Sequence, residues 1–396
     1  MHLPLRSPAC SISALLAWAF ALLLSISASF LPTSGLTAFA QGVTPLPPVT
    51  ARNWLLLDLQ SQQIIASKGA DERIEPASLT KLMTAYVVFS ALKQQQISLE
   101  QRLPVSTRAW KMPGSRMFLA PNSEASVDAL IKGMIIVSGN DATVTLAEGV
   151  AGREDAFVKR MNDEGQRLGM KDSRFANASG LPGTGHYSTT SDLTKLAIAL
   201  VRDFPEYLSL YNERSYTYAG ITQSNRNSLL GRDPRVDGLK TGHTENAGFC
   251  LIATAHTNTR RLMVIVTGTA SENARAIDAQ KLLNYGFQYY DTVRVYGKGA
   301  TVAELPVWKG SERVLKAGFD EDVYISLPRG DTERLKATLT SQQPLLAPVS
   351  RQQQVGMLRF TVDGKPLGEY PVVALETVSV ANLFIRVWDT LRLLIR

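Results

Sequence analysis

Residues 79–89 are apolar almost without a break, interrupted only by Thr80, Lys81 and Thr84. A helix that is apolar all round has no face to give to water, so the rest of a domain must wrap it. Pro76 suits the start of that helix, where a missing N–H is no loss. Ser78 and Lys81 are three residues apart and share a face in its first turn. Keeping an ionisable pair dry at the mouth of a buried helix is costly, and the chemistry it would serve is nucleophilic catalysis. A serine hydroxyl is a weak nucleophile until a neighbouring base takes its proton. A lysine whose pKa is lowered by burial, or by another cation, can be that base. Free N–H groups at the helix start can stabilise an oxyanion. The spacing alone is common: Ser90 and Lys93 repeat it late in the same helix. A capping serine beside a surface lysine reads equally well.

At 396 residues there is room for two or three domains and a sizeable core. The formal charge of +7 carries no dense basic run interleaved with aromatics, which argues against nucleic acid. A mildly basic protein fits anionic lipid or an acidic polymer. Residues 1–40 read as a secretory signal, with Arg6 as its charged region, 14–31 as its apolar region and Ala38-Phe39-Ala40 before the cleavage point. The apolar stretch is also long enough to span a bilayer, so an uncleaved anchor is the alternative. Cys10 precedes that stretch, where no lipid-attachment cysteine would sit. Cys250 is left without an intrachain partner, so the exported chain is expected to rest on its core rather than on disulfides.

Taken in order, residues 53–58 and 63–66 read as two strands around a turn at 60–62. Residues 103–122, with Pro104, Pro113, Gly114 and Pro121, read as irregular and as a partial cover of a cleft. Residues 127–137 and 142–151 are helical by period, and Ser138-Gly139-Asn140-Asp141 forms the elbow between them, a natural place to project polar side chains. A third helix is expected over 154–168, a loop over 175–190, a helix over 191–201, and an extended, turn-rich stretch over 225–236. Residues 236–243 lead into the clearest hairpin, 249–256 and 261–268, and a closing helix follows over 273–289. Strands on either side of a block of helices suggest an antiparallel sheet with its helices segregated, an α+β architecture.

Short alternating runs from 302 to 380 read as a small all-β sandwich. Over residues 380–396 Val380, Leu383, Phe384, Val387, Trp388, Leu391, Leu394 and Ile395 share one helical face, with Arg386, Asp389, Arg392 and Arg396 opposite. That segment is too short to span and reads as an amphipathic helix in the membrane interface. Packing on the body or in a dimer is the alternative. The expected divisions are therefore a signal at 1–40, a catalytic domain at 41–300, a β domain at 301–379 and the tail helix.

Three elements now stand in order: Ser78-x-x-Lys81, Ser138-Gly139-Asn140 and Lys240-Thr241-Gly242. This is the set of the penicillin-binding proteins and class A β-lactamases. S-x-N recurs at Ser271-Glu272-Asn273, but only after the third element. Together with Asn225-Arg226-Asn227 and Val236-Asp237-Gly238 before the third element, and His243-Thr244 after it, the chain resembles the low-molecular-mass penicillin-binding proteins of the type-5 D-alanyl-D-alanine carboxypeptidase branch. The likeness runs over essentially all of the chain after the signal, β domain and tail included. It implies a serine D,D-peptidase that takes the D-Ala-D-Ala end of peptidoglycan pentapeptides, is acylated by β-lactams and needs no metal or cofactor. It further implies Ser78 as the acylated nucleophile and Lys81 as its proton acceptor. Ser138 would relay a proton, Asn140 would hold the substrate amide, and Lys240 would stabilise charge near Ser138. Thr241, Gly242 and His243 would lie on the strand along which the peptide docks, and the N–H groups of Ser78 and His243 would form the oxyanion hole. Arg275 would meet the terminal carboxylate, with Arg226 its companion. The implied location is the periplasmic face of the cytoplasmic membrane.

Rival readings are weaker. A class A β-lactamase would need a glutamate in E-x-x-x-N between the second and third motifs, and Glu148, Glu154, Glu164, Glu206 and Glu213 all lack the Asn. There is no G-x-S-x-G for a Ser-His-Asp hydrolase and no H-E-x-x-H for a metal. A D,D-endopeptidase would use the same residues, and an inactive wall-binding protein held by its tail is the reading from another class.

Overall fold

The computed structural model describes residues 45–395. The expected signal, Cys10 and the cleavage point lie outside the described residues. By contacts the chain divides into two units, Leu46–Tyr296 with Asp322–Thr332, and Gly297–Glu321 with Glu333–Arg396.

In the first unit, β1 (Asn53–Asp58) and β2 (Gln63–Lys68) form the expected opening hairpin. A 3-10 turn over Ala77–Thr80 carries Ser78 and passes directly into α1 (Lys81–Lys93). Ten of the thirteen residues of α1 are buried, as its all-round apolar sequence requires. The stretch expected to be irregular contains β3 (Arg102–Pro104), the short α2 (Thr107–Trp110) and β4 (Glu124–Ser126), with β3 paired to β4. Then come α3 (Val127–Ile136), α4 (Asn140–Ala151), α5 (Glu154–Arg167) and α6 (Thr190–Asp203). A 3-10 segment, Pro205–Asn212, and a hairpin of β5 (Ser215–Tyr218) and β6 (Ile221–Ser224) follow, neither of them expected. The stretch expected to be extended and turn-rich over 225–236 is turn-rich, with a 3-10 turn at Ser228–Gly231.

The strands β7 (Val236–Thr244), β8 (Gly248–His256) and β9 (Arg261–Thr269) complete a five-stranded antiparallel sheet in the order β2-β1-β9-β8-β7. Period-2 alternation sends the two faces of this sheet into different cores. Leu55, Leu57, Ile252 and Ile265 pack with Leu82, Phe89, Leu130 and Leu146 of the helical block. Leu56, Leu251, Val264 and Val266 pack instead with Ala276, Ala279, Leu282 and Leu283 of α7 (Glu272–Tyr289). A leucine-to-alanine change in either core should cost about 2–5 kcal/mol. Of the two edge strands, β2 and β7, it is β7 that lies next to the 3-10 turn that holds Ser78.

By contacts the two units interleave in sequence around the expected boundary at residue 300. β10 (Tyr290–Tyr296) pairs with β13 (Val323–Pro328), and the segment around β13 clusters with the first unit. Buried Asp58 secures this extension: it accepts from Arg260 at 3.1 and 3.2 Å and from Thr292, whose hydroxyl also meets that of Ser326 at 3.1 Å.

The second unit is all-β apart from its terminal helix. Its strands are β11 (Thr301–Trp308), β12 (Val314–Gly318), β14 (Leu335–Ser341), β15 (Leu345–Leu346), β16 (Gln354–Val362) and β17 (Lys365–Ala374). They run β14-β16-β17-β12-β11-β15 in one hydrogen-bonded order. Only two residue pairs, Ala317↔Ala374 and Gly318↔Val373, join β12 to β17, so the two layers expected of a sandwich are linked by a narrow seam. The last element, α8 (Leu383–Leu394), exposes Leu383, Phe384, Val387, Trp388, Leu391 and Leu394, with no buried residue. No helix among the described residues is long and apolar enough to cross a membrane.

Candidate active site

A cleft of about 480 Å³ opens along β7, lined by Ser78, Ser138, Asn140, Thr241, Gly242, His243, Arg226 and Arg275 among others. Every residue expected at the site lies on this cleft except the two lysines, which stand just beneath it, 2% and 3% exposed. Lys81 Nζ is 3.1 Å from Ser78 Oγ, 2.7 Å from Asn140 Oδ1 and 2.6 Å from the carbonyl oxygen of Ser179. Asn140 Nδ2 donates to Pro113 O at 2.7 Å, which fixes the amide so that its oxygen faces Lys81.

Burial lowers the Lys81 pKa to about 7, against the opposing charge of Asp141. The neutral amine has two protons and one lone pair. Asn140 Oδ1 and Ser179 O can only accept, so they take the two protons and leave the lone pair facing Ser78. Two carbonyl groups thus orient the amine toward the Ser78 hydroxyl.

The second lysine mirrors the first. Lys240 Nζ donates to Ser138 Oγ at 3.0 Å and to the Thr241 carbonyl at 3.0 Å. Its pKa falls well below the usual lysine value, first through burial and then through the charges of Lys81, Arg275 and Arg226. Ser138 stands at the elbow between α3 and α4 with φ at +61°, and Ala77 next to the nucleophile has φ at +47°. Such left-handed backbone is costly for a residue with a Cβ. Asp141 secures the elbow and the loop over it: its carboxylate accepts from Met117 N and Leu119 N at 2.9 and 3.1 Å, and Ser115 O accepts from Asn140 N at 2.7 Å.

Two glycines set the depth of the site. A Cβ on Gly242 would stand 3.2 Å from Ser78 N, a tight contact that glycine avoids where β7 runs beside the Ser78 backbone. A Cβ on Gly180, at φ +84°, would fall 1.8 Å from Ala77 O. Asn177 Oδ1 gathers the N–H groups of Ser179 and Gly180 at 3.2 and 2.7 Å, which presents the Ser179 carbonyl to Lys81. Beneath them His186 Nδ1 accepts from Ala176 N at 3.0 Å, leaving Nε2 protonated toward Thr80 Oγ1 at 2.8 Å. Burial holds this imidazole neutral, with its pKa lowered to about 4. Sequence reasoning left this whole loop without a role, because its contribution is a main-chain carbonyl.

At the far end, Arg275 at the start of α7 is buried, and its Nη2 donates to Arg226 O at 2.9 Å and to Glu272 Oε1 at 2.6 Å. Burial lowers its pKa, opposed by the charge of Glu272. Arg226 is held by its neighbours, since Asn225 Nδ2 donates to Glu213 O at 2.8 Å and Asn225 Oδ1 accepts from Asn227 N at 2.9 Å. The His243 ring stacks on Phe249 with centroids 4.0 Å apart. On the far face of the strand lies Cys250, a buried thiol that burial pushes up to about 11 and so keeps unreactive. Among the described residues no three His, Cys, Asp or Glu side chains cluster as metal ligands.

Comparison with known proteins follows the same line. A family model described as Peptidase S11, D-alanyl-D-alanine carboxypeptidase, matches residues 40–271, and one described as the penicillin-binding protein 5 C-terminal domain matches residues 290–380. The D-alanyl-D-alanine carboxypeptidase DacC of Escherichia coli (strain K12) is 39% identical over 375 residues, 92% of this chain and 94% of that protein. The DacA carboxypeptidase of Haemophilus influenzae is 36% identical over 378 residues, 93% of this chain and 96% of that one. Crystal structures of penicillin binding protein 5 from Haemophilus influenzae superpose with a TM-score of 0.82 at 37% identity, covering 85% of this chain and all of that one. The chain belongs to the D-alanyl-D-alanine carboxypeptidase family.

Proposed function

From that membership we propose that the protein is a serine-type D-alanyl-D-alanine carboxypeptidase, which removes the terminal D-alanine of peptidoglycan pentapeptides and is acylated by β-lactams. The observation that carries the reading is Lys81 Nζ standing 3.1 Å from Ser78 Oγ, with burial lowering its pKa to about 7. Ser78 attacks the carbonyl carbon of the penultimate D-alanine while its proton passes to Lys81. The oxyanion is received by the backbone N–H groups of Ser78 and His243, brought near one another by Gly242. Ser138, bonded to Lys240, relays the proton that Lys81 took from Ser78 on to the leaving amine, so D-alanine departs as a neutral amine and Lys81 and Ser138 are both restored. Water then attacks the ester carbonyl, its proton going to the same base, and Ser78 is regenerated. The substrate lies as an added strand on the open edge of β7, its amide held by Asn140 and its terminal carboxylate by Arg275, with Arg226 beside it.

The protein acts after export, at the periplasmic face of the cytoplasmic membrane, where α8 lies in the interface with its exposed apolar face in lipid. Fluorescent penicillin should label the purified protein, and diacetyl-L-Lys-D-Ala-D-Ala should release free D-alanine. Both signals should vanish in Ser78→Ala, and labelling that persists in that variant would overturn the reading. Deleting residues 380–396 should release the protein from anionic vesicles with peptide turnover retained. Continued co-sedimentation would count against the tail as anchor.

A further inference from the structure

The guanidinium proposed to receive the substrate's carboxylate already holds a carboxylate of its own. Glu272 Oε1 sits 2.6 Å from Arg275 Nη2, and both residues line the cleft. We propose that Glu272 is a tethered competitor for the substrate's C-terminal carboxylate, and that it sets how strongly the cleft selects for that group. This rests on the reading of Arg275 as the carboxylate receptor.

The two partners are unequal in freedom. The Arg275 side chain is 4% exposed, donates to the Arg226 carbonyl and lies 5.7 Å from the centroid of the Phe249 ring, so it stays in place. The Glu272 side chain is 61% exposed. It occupies the first turn of α7, after the Ser271 cap, and among the described residues its hydrogen-bond partner is Arg275 alone. A rotation about its own side-chain bonds carries it into water, where a carboxylate is fully hydrated. Arrival of a substrate carboxylate therefore exchanges one anion for another on a fixed cation. A tethered group competes at a high effective concentration, yet a pair whose carboxylate stands mostly in water is weak enough to be displaced. In the resting cleft the Glu272 carboxylate also raises the Arg275 pKa against the burial that lowers it. A peptide with a neutral end has no exchange to make and is indifferent to Glu272.

Glu272→Gln keeps the length of the side chain and removes the charge. Turnover of diacetyl-L-Lys-D-Ala-D-Ala should be compared with that of the same peptide ending in D-alaninamide, with active protein titrated by penicillin so that misfolded material does not count. For the carboxylate peptide KM should fall about threefold to fivefold relative to wild type, and for the amide it should not move. An unchanged or higher KM for the carboxylate peptide would show Glu272 to be a prop for Arg275 and overturn the proposal. An equal change for both peptides would overturn it too. Arg275→Ala reports on the underlying reading separately. If wild type does not distinguish the two peptides and Arg275→Ala alters neither, Arg275 is not the carboxylate receptor and the competition falls with it.

Discussion

At one end of the cleft Lys81 is 2% exposed and meets three partners that are themselves buried or half-buried: Ser78, Asn140 and the Ser179 carbonyl. At the other end Arg275 is just as buried, yet its counter-ion Glu272 stands mostly in water. The same degree of burial serves two purposes. Around Lys81 the absence of water lowers the pKa and aims a lone pair, so geometry there has little slack. Around Arg275 the cation is fixed while its anion can be exchanged, so that end tolerates a change of guest. On the proposed mechanism, reaction belongs to the dry end and selection to the wet one.

The sharpest way to break this contrast is Lys81→Ala, which removes the base and should lower acylation by penicillin about a thousandfold or more. A comparable loss from Arg226→Ala would erase the distinction between the ends. Gly180→Ala comes next. Its methyl group would collide with Ala77 O at a left-handed backbone position, which should cost about 3 kcal/mol. Thermal unfolding should report a midpoint lower by roughly 6–12 °C.

The pH profile sharpens the dry end further. Lys81 must be neutral to act, and its folded pKa is about 7. Acylation per active site should therefore rise about tenfold per pH unit below 7 and level off above it. Linkage has the same sign. The unfolded chain holds its lysine proton up to about 10.5, so between 7 and 10.5 it binds more protons than the fold does, and the Lys81 contribution to stability improves as pH rises through that window. An acid limb with a midpoint near 5 would show that another group limits the rate. The smallest effect is expected from Arg226→Ala, which leaves Arg275 in place and should raise KM for the carboxylate peptide about threefold, read from initial rates.

Much of this was legible in the sequence because side chains carry it. Ser78 and Lys81 announce themselves by standing polar at the mouth of an apolar helix, and the elbow at Ser138–Asn140 by a break between two helical periods. The closing hairpin was plain from its alternation. What stayed hidden rests on the main chain or on distance along it. Ser179 contributes a carbonyl, which every residue has, and Gly180 matters only because Ala77 O lies against it. The β5–β6 hairpin turns on Ala219-Gly220, a weaker signal than Asn-Gly, although Ala219 and Gly220 both take positive φ. The alternation of 323–328 reads the same whichever sheet it joins, so nothing local could tell that it pairs with β10 rather than with its neighbours in sequence.

Ser138 and Ala77 hold left-handed backbone that glycine would adopt at ease. Heat-resistance screens should therefore recover glycine at both places, and the two hits would part company at once. Ala77→Gly would relax the chain beside the nucleophile and forfeit only a methyl group. At 138 the more durable protein would lack the hydroxyl on which Lys240 rests, so thermal robustness and turnover pull against each other at that one residue.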